Sequence, residues 1–155
     1  MSTERPSRAP SGLTLCHKPF AALTLDELYA LLWLRDIVFV VGQKITAECE
    51  VDGEDPQCEH VVGRDASGAI VATARLFLGK TPIKVGRIAV HTDLQRGGLG
   101  SVLMRYVNDL IGDRPAVMSA QAHLEPWYVR MGWRRRGEIY SEAEIPHCEM
   151  TRNIP

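Results

Sequence analysis

Residues 85–100 read VGRIAVHTDLQRGGLG and form the most informative segment of this 155-residue chain. The first part, Val85 to Val90, is rich in branched apolar residues, as expected of a strand. The second part, Gln95 to Gly100, holds three glycines. An amphipathic run follows, with its apolar residues at helical spacing: Leu99, Val102, Leu103, Tyr106, Val107 and Leu110. The segment therefore predicts a strand, a glycine-rich turn and a helix in succession.

The glycine-rich turn is suited to binding an anion. Glycine lets the backbone approach a ligand closely, and the first amides of a helix have no partner inside that helix. The helix dipole favours negative charge at the same place, so phosphate or pyrophosphate is the expected guest. The pattern is neither a Gly-Lys-Ser/Thr loop nor a dinucleotide-binding GxGxxG. A flexible turn that is merely rich in glycine is the alternative interpretation.

The rest of the chain predicts one mixed α/β domain over residues 13–155, after a flexible, proline-bearing tail at 1–12. Thr24 and Glu27 form a capping box at the start of a helix that should end near Gly42. Strands are expected at 13–16, 58–64, 69–78, 83–90, 116–120, 133–140 and 147–151. The helix after the glycine turn should end at Gly112, and Pro126 should open a third helix that Gly132 closes.

Composition excludes several classes of protein. A net charge of -1 argues against nucleic acid or an anionic membrane as a partner, and Arg134 to Arg136 are expected on a solvated strand edge. The longest strongly apolar stretch, 37–41, is too short to span a bilayer, and the N-terminus lacks the apolar core of a signal peptide. The four scattered cysteines fit neither a disulfide scaffold nor a zinc site. We expect a cytoplasmic protein without a metal.

Two segments resemble the GNAT N-acetyltransferase superfamily. Gln95, Gly98 and Gly100 match the Gln-x-x-Gly-x-Gly pattern of its pyrophosphate loop, between a strand and a helix as in that family. Residues 121–133, QAHLEPWYVRMGW, resemble its aromatic third helix. The resemblance implies a GNAT α/β fold, with a mixed, mostly antiparallel central sheet that is splayed in the middle and has helices on both faces. It also implies acetyl-CoA as co-substrate and transfer of the acyl group to an amine.

The ElaA-like branch of the family is the more specific resemblance. It rests on residues 34–43, on Asp52, Asp55 and His60, and on the runs QAHL at 121–124 and IPH at 145–147. One departure is Gly42, because the branch usually has glutamate there. If that glutamate serves the amine, this chain must use another carboxylate.

The resemblance also assigns site residues. Backbone groups of Ile88, Ala89 and Val90 would bind the pantetheine arm of the cofactor. The pyrophosphate would be held by the turn and the first helical residues: Gln95, Arg96, Gly97, Gly98, Leu99, Gly100 and Ser101. Tyr128 would protonate the departing CoA thiolate, a role for which placement matters more than bulk acidity. A core aromatic is the alternative interpretation of Tyr128.

An alkylamine must lose a proton before it attacks a thioester, so a base or a water chain is needed. His123 is the preferred base, ahead of His91, Glu48, Glu59 and Glu125. The acceptor would be a small-molecule or peptide amine, bound by a monomer or homodimer.

The acidic run between the first helix and the first hairpin could attract a cationic acceptor, although solvated loop charges explain it as well. The run consists of Glu48, Glu50, Asp52, Glu54, Asp55 and Glu59. A metal site at Cys49, Cys58 and His60 is less favoured than a hydrogen-bonding role for a buried His60. Two functional alternatives stay open: a non-catalytic acyl-CoA sensor, and a module that binds another phosphorylated ligand.

Overall fold

The computed structural model describes residues 7–8, 12–46 and 48–155 of the chain. Its strands are β1 (Ser7–Arg8), β2 (Thr14–Pro19), β3 (Glu59–Arg64), β4 (Ile70–Phe77), β5 (Ile83–Val90), β6 (Ala116–Gln121), β7 (Arg134–Glu142) and β8 (Ile145–Arg152). They form one sheet in the order β1-β2-β3-β4-β5-β6-β8-β7. Of the pairs in this sheet, β5 and β6 run parallel and the others are antiparallel. The predicted mixed, mostly antiparallel architecture is confirmed.

The sheet separates in its middle, between β5 and β6. These strands pair at residues 83–85 and 116–118, after which β5 continues to Val90 and β6 to Gln121 with no further pairing between them. The predicted splay is thus present. The second half of β5 is paired with β4 on one side, and on its other side it exposes backbone groups that need a partner.

Helices cover both faces of the sheet. On one face lies α2 (Leu99–Ile111), whose Leu103 is fully buried in a cluster that includes Val90. On the other face, Leu34 of the first helix packs against Ala89. Because successive strand residues point to opposite faces, the neighbours Ala89 and Val90 contribute to separate cores. The predicted two-sided arrangement is confirmed.

The first helix changes its geometry along its length. Helix α1 (Leu25–Arg35) begins at the predicted capping box, in which the Glu27 amide donates to Thr24 Oγ1. After Arg35 it continues as a π-helix, Asp36–Gly42, so the prediction of one regular α-helix to Gly42 is wrong over that segment. The π segment holds four β-branched residues, which crowd the preceding turn of an α-helix.

The C-terminal part follows the predictions closely. Helix α3 (Glu125–Arg130) has its proline in the first turn. Arg134, Arg135 and Arg136 are exposed on the edge strand β7, as predicted, and Arg135 pairs with Glu125 at 3.0 Å. None of the helices in the described residues is long and apolar enough to cross a bilayer.

The N-terminal prediction needs one addition. Residues 1–6 and 9–11 of the predicted tail lie outside the described residues. Ser7–Arg8, however, forms a two-residue strand that the sequence analysis did not predict, with Ser7 opposite Leu15 of β2. The segment is too short for a periodic pattern to reveal it.

Candidate active site

The separation of β5 and β6 opens a cleft of about 200 Å³. Its walls come from the π-helix and the segment that follows it, from β5 and β6, from α3, and from the β7–β8 hairpin. Its lining residues include Glu48, Glu50, Arg87, Ile88, Ser119, Gln121, Tyr128, Glu142 and His147. Residues from both halves of the sheet therefore meet in one place.

Tyr128 reaches this cleft from α3. The residue is 6% exposed, and its ring meets Trp127 edge-on at a centroid distance of 4.8 Å. Burial raises the pKa of Tyr128 to about 12, with a smaller contribution from Cys148. Within the described residues, its hydroxyl meets no hydrogen-bonding side chain. The phenol is thus held in its protonated form, with a proton available for a group in the cleft.

The glycine turn begins directly after β5. A short turn, Thr92–Leu94, leads to Gln95, whose side-chain amide donates to the Val90 carbonyl at 3.1 Å. Gly98 precedes α2 with a φ of 78°, in the left-handed region, and no side chain caps the helix. The first amides of α2 consequently lack an intrahelical acceptor, which makes this end of the helix a place for an anion.

The turn and Tyr128 belong to one neighbourhood. A Cβ built on Gly100 would lie 3.7 Å from the Trp127 ring, so the start of α2 packs against α3 one residue from Tyr128. Arg96 and Gly97 are exposed on the turn, Leu99 is buried, and Ser101 is partly buried in the first turn of α2. The predicted pyrophosphate residues therefore surround the helix end that faces α3.

The predicted pantetheine residues lie on the open side of β5. Ile88 lines the cleft, whereas Ala89 and Val90 pair with β4 at Thr73 and Ala72. The His91 amide donates to the Val71 carbonyl of the β4 side at 2.8 Å. Since alternate residues of an antiparallel strand direct their backbone groups to opposite sides, those of Val90 point toward the gap.

Comparison with known proteins identifies the family of this chain. Residues 43–154 match the acetyltransferase (GNAT) domain. The chain belongs to the GNAT acetyltransferase family. This membership supports acyl-CoA-dependent N-acyl transfer as its general class of activity.

Individual relatives confirm the ElaA-like resemblance. A UPF0039 protein of Schizosaccharomyces pombe is 36% identical over 90% of this chain and 97% of its own length. A crystal structure of an acyl-CoA N-acyltransferase from Pseudomonas aeruginosa is similar with a TM-score of 0.81 and 38% identity, over 90% of this chain and 99% of that one. The crystal structure of Escherichia coli ElaA also gives a TM-score of 0.81, at 31% identity over 90% of this chain and 99% of that one.

The base predicted for the GNAT reaction does not reach the cleft. His123 is exposed on the turn Ala122–Leu124, where the neighbouring Leu124 supplies the cleft lining instead. Glu125 pairs with Arg135, and Glu59 contacts His17 at 2.8 Å. The Asp93 amide donates to Nδ1 of His91 at 3.2 Å. Of the predicted base candidates, the structure brings Glu48 to the cleft wall.

Most carboxylates of the acidic segment are paired within the fold, which neither interpretation of the segment anticipated. Asp55 accepts from Arg35 at 2.8 Å and from Arg75 at 3.0 Å, and all three side chains are buried. Burial alone would raise the pKa of Asp55, but the two guanidinium groups more than offset it and lower that pKa. Hydrogen bonds from Arg75 hold the pKa of Asp52 well below its usual range. Both carboxylates are neutralised internally and are poor ligands for an amine.

Glu50 connects this ion-pair network to the cleft. Its Oε1 accepts from Arg35 Nε at 2.7 Å and from Arg87 Nε at 2.9 Å. Arg87 has a φ of 51° and lies where β5 bulges relative to β4. A bulge beside a binding site redirects backbone groups, and the Glu50 contact holds this one in place.

Position 42 is directed away from the cleft. A Cβ on Gly42 would lie 3.1 Å from the Ile37 carbonyl oxygen and 3.4 Å from Cγ2 of Thr92. The glutamate that the ElaA-like resemblance places here would therefore start from the side of Thr92. Gln43, the next residue, is the one that lines the cleft, where it accepts a hydrogen bond from Gln121 at 2.8 Å.

A polar group on the far wall of the cleft is not indicated by any local sequence pattern. His147 of β8 lies 3.3 Å from Glu142 of β7, measured from Nε2 to Oε2. Glu142 also accepts from Ser119 Oγ at 3.0 Å, and Ser119 Oγ lies 2.5 Å from the Tyr140 hydroxyl. The IPH run that ends at His147 is part of the ElaA-like resemblance, but the sequence alone assigns no function to this histidine.

The metal hypothesis gains no support. The His60 ring donates from Nε2 to the Asp55 carbonyl at 2.9 Å and is buried, which confirms the hydrogen-bonding role predicted for it. Burial raises the pKa of Cys58 to about 11, so this thiol stays protonated. Within residues 12–46 and 48–155, no three such side chains converge as metal ligands would.

Proposed function

We propose that this protein is an N-acetyltransferase that moves acetyl from acetyl-CoA to a primary amine by direct attack in a ternary complex. The observation that carries the proposal is the protonated Tyr128 hydroxyl in the cleft beside the glycine turn, where it meets no hydrogen-bonding side chain of residues 12–46 and 48–155. An acid in that position can neutralise a thiolate as it leaves. The family membership supplies the class of reaction.

The residues present fit the cofactor part by part. Amides from Gly98 to Ser101, with the Arg96 side chain beside them, would hold the pyrophosphate. The open edge of β5 at Ile88, Ala89 and Val90 would take the pantetheine amides as an added strand takes its partner. The thioester would then reach the gap between β5 and β6, near Tyr128.

Thiol release tests the proposed function. Acetyl-CoA would be mixed with the protein and a panel of amines: spermidine, an aminoglycoside, benzylamine and a lysine-containing peptide. We expect amine-dependent CoA release with at least one acceptor and acetylated product by mass spectrometry. Tight acetyl-CoA binding without release toward any amine would instead identify an acyl-CoA sensor.

The glycine turn gives a first prediction. Gly98→Val should weaken acetyl-CoA binding at least tenfold, or about 1.4 kcal/mol, because the left-handed backbone and its close approach to the phosphates are both lost. Gly68→Val is the matched control, since Gly68 has a φ of 90° and equally open surroundings but lies in the β3–β4 turn. Calorimetry measures both affinities. Equal affinities for acetyl-CoA in the two folded variants would remove the pyrophosphate assignment.

Glu48 gives a second prediction. It lines the cleft, is exposed, and forms no ion pair with any described residue. Glu48→Gln should raise KM for a cationic acceptor by about twofold to fivefold and flatten its salt dependence, with KM for acetyl-CoA unmoved. Glu54→Gln, outside the cleft lining, is the control. An unchanged acceptor KM would leave Glu48 as a solvated charge.

A further inference from the structure

The far wall of the cleft brings a histidine ring nitrogen and a carboxylate oxygen side by side. His147 Nδ1 lies 2.7 Å from the Ile145 carbonyl oxygen, and since a carbonyl can only accept, Nδ1 carries the proton. In the neutral ring Nε2 is then an acceptor, and it lies 3.3 Å from Glu142 Oε2. Two adjacent acceptors repel each other unless a donor lies between or beside them. The pair is matched to a group with several N–H donors, such as an ammonium.

The surroundings hold both side chains in position. His147 is 7% exposed, and its ring stacks on Tyr140 at a centroid distance of 6.3 Å. Ser119 donates to the same Glu142 oxygen that faces His147. Glu142 itself is 43% exposed, so its carboxylate is open to the cleft. A buried ring with a fixed tautomer beside an accessible carboxylate resembles an oriented base more than a packing contact.

We propose that His147 and Glu142 bind the acceptor ammonium and that His147 Nε2 takes its proton; this proposal rests on the N-acetyltransferase function proposed above. The ammonium gives one proton to Nε2, and the resulting amine attacks the thioester carbon. The C–N bond forms and the C–S bond breaks. Tyr128 protonates the thiolate and regains a proton as the nitrogen loses its second one. His147 finally releases its proton to solvent, so the net products are amide, thiol and one proton.

The charged and titratable groups around His147 are compatible with this role. From β7 it faces Glu142 and Tyr140, and from β6 its register partner is the neutral Gln121. Across the same cleft lie Glu48, Glu50, Arg87 and Tyr128. Glu50 and Arg87 form an ion pair, so the uncompensated carboxylates of the lining are Glu48 and Glu142. The negative balance favours a cationic acceptor over a neutral or anionic one.

Two substitutions test the pair, and a third serves as the control. His147→Asn keeps a donor for the Ile145 carbonyl and removes Nε2, and Glu142→Gln keeps the shape and removes the charge. Glu144→Gln alters the same hairpin at an exposed position outside the cleft lining. Each variant is assayed with the amine of the panel that wild type acetylates fastest, at pH 7 and at pH 10.

At pH 7 we expect kcat/KM for the amine to fall at least tenfold in His147→Asn and about threefold to tenfold in Glu142→Gln, with Glu144→Gln unchanged. At pH 10 much of an alkylamine is already neutral and needs no base. The fall in kcat/KM of His147→Asn relative to wild type should therefore be less than threefold at that pH. Acetyl-CoA affinity, measured by calorimetry, should stay the same in all three.

If kcat/KM of His147→Asn fell by as much at pH 10 as at pH 7, His147 would not be the base, because a merely structural defect does not depend on the protonation of the acceptor. Wild-type rates in both variants would overturn the proposal while leaving the acetyltransferase function intact. A wild-type protein that releases no CoA with any amine of the panel would overturn both.

Discussion

Replacing Asp55 with asparagine is expected to lower the free energy of unfolding by about 3–5 kcal/mol. The carboxylate lies between two buried guanidinium groups, with Oδ1 at 2.8 Å from Arg35 and 3.0 Å from Arg75. Arg35 is 2% exposed and Arg75 is 4% exposed. An amide of the same shape keeps the volume and leaves both cations short of a buried counter-charge.

The same segment offers a matched control. Glu54 also pairs with Arg75, at 3.6 Å, but its side chain is 42% exposed. Glu54→Gln should therefore cost less than about 1 kcal/mol, since an exposed ion pair contributes little. Urea unfolding of both variants measures the difference. A loss below 1 kcal/mol for Asp55→Asn would show that the arginines find other partners.

The pH dependence of stability follows from the same carboxylates. The pKa of Asp55 and that of Asp52 are lowered in the folded chain, so their stabilising effect is complete above the unfolded value of about 3.9. It is lost as the pH falls from there through the folded pKa values. As the pH falls, the free energy of unfolding should therefore decrease less in Asp55→Asn than in wild type, because the variant lacks one of the two titrating groups. Urea unfolding at a series of pH values measures both slopes.

Local signals in the sequence identified most of the fold. The capping box at Thr24 and the glycines that end α2 and α3 act within a few residues, so they can be recognised in one chain. The strand, glycine turn and helix of residues 85–111 are also contiguous, and they fixed the middle of the sheet. The π-helix at 36–42 could not be distinguished from an α-helix, because the apolar patterns of the two are nearly the same.

The candidate site could be predicted only in its contiguous parts. Tyr128 and the glycine turn belong to short motifs and meet at the cleft. Glu142 and His147 come from two strands whose register brings them together, and nothing local indicates which strand lies opposite which. The ion pairs of the acidic segment could not be predicted for the same reason. Its arginine partners lie 15 to 37 residues away in the sequence, so carboxylates that form ion pairs in the fold look like charges exposed to solvent.

Tyr128→Phe is expected to lower kcat on the order of a hundredfold and to leave acetyl-CoA affinity nearly unchanged. The substitution keeps the ring and its edge contact with Trp127 and removes one hydroxyl, which has no side-chain partner among the described residues. Little stability should be lost, because no hydrogen bond between this hydroxyl and the described part of the chain is broken. The proton for the departing thiolate must then come from water, which is not held in position for the transfer.

The raised pKa of Tyr128, about 12, gives this variant a second test. A general acid fails when it loses its proton, so an acid with a raised pKa loses activity only at high pH. Wild-type kcat should therefore show no alkaline decline from Tyr128 up to about pH 10. Tyr29→Phe, at a side chain that is 73% exposed on α1, is the control and should match wild type throughout. If Tyr128→Phe also matched wild type, the tyrosine would be a packing residue and the thiolate would leave unprotonated.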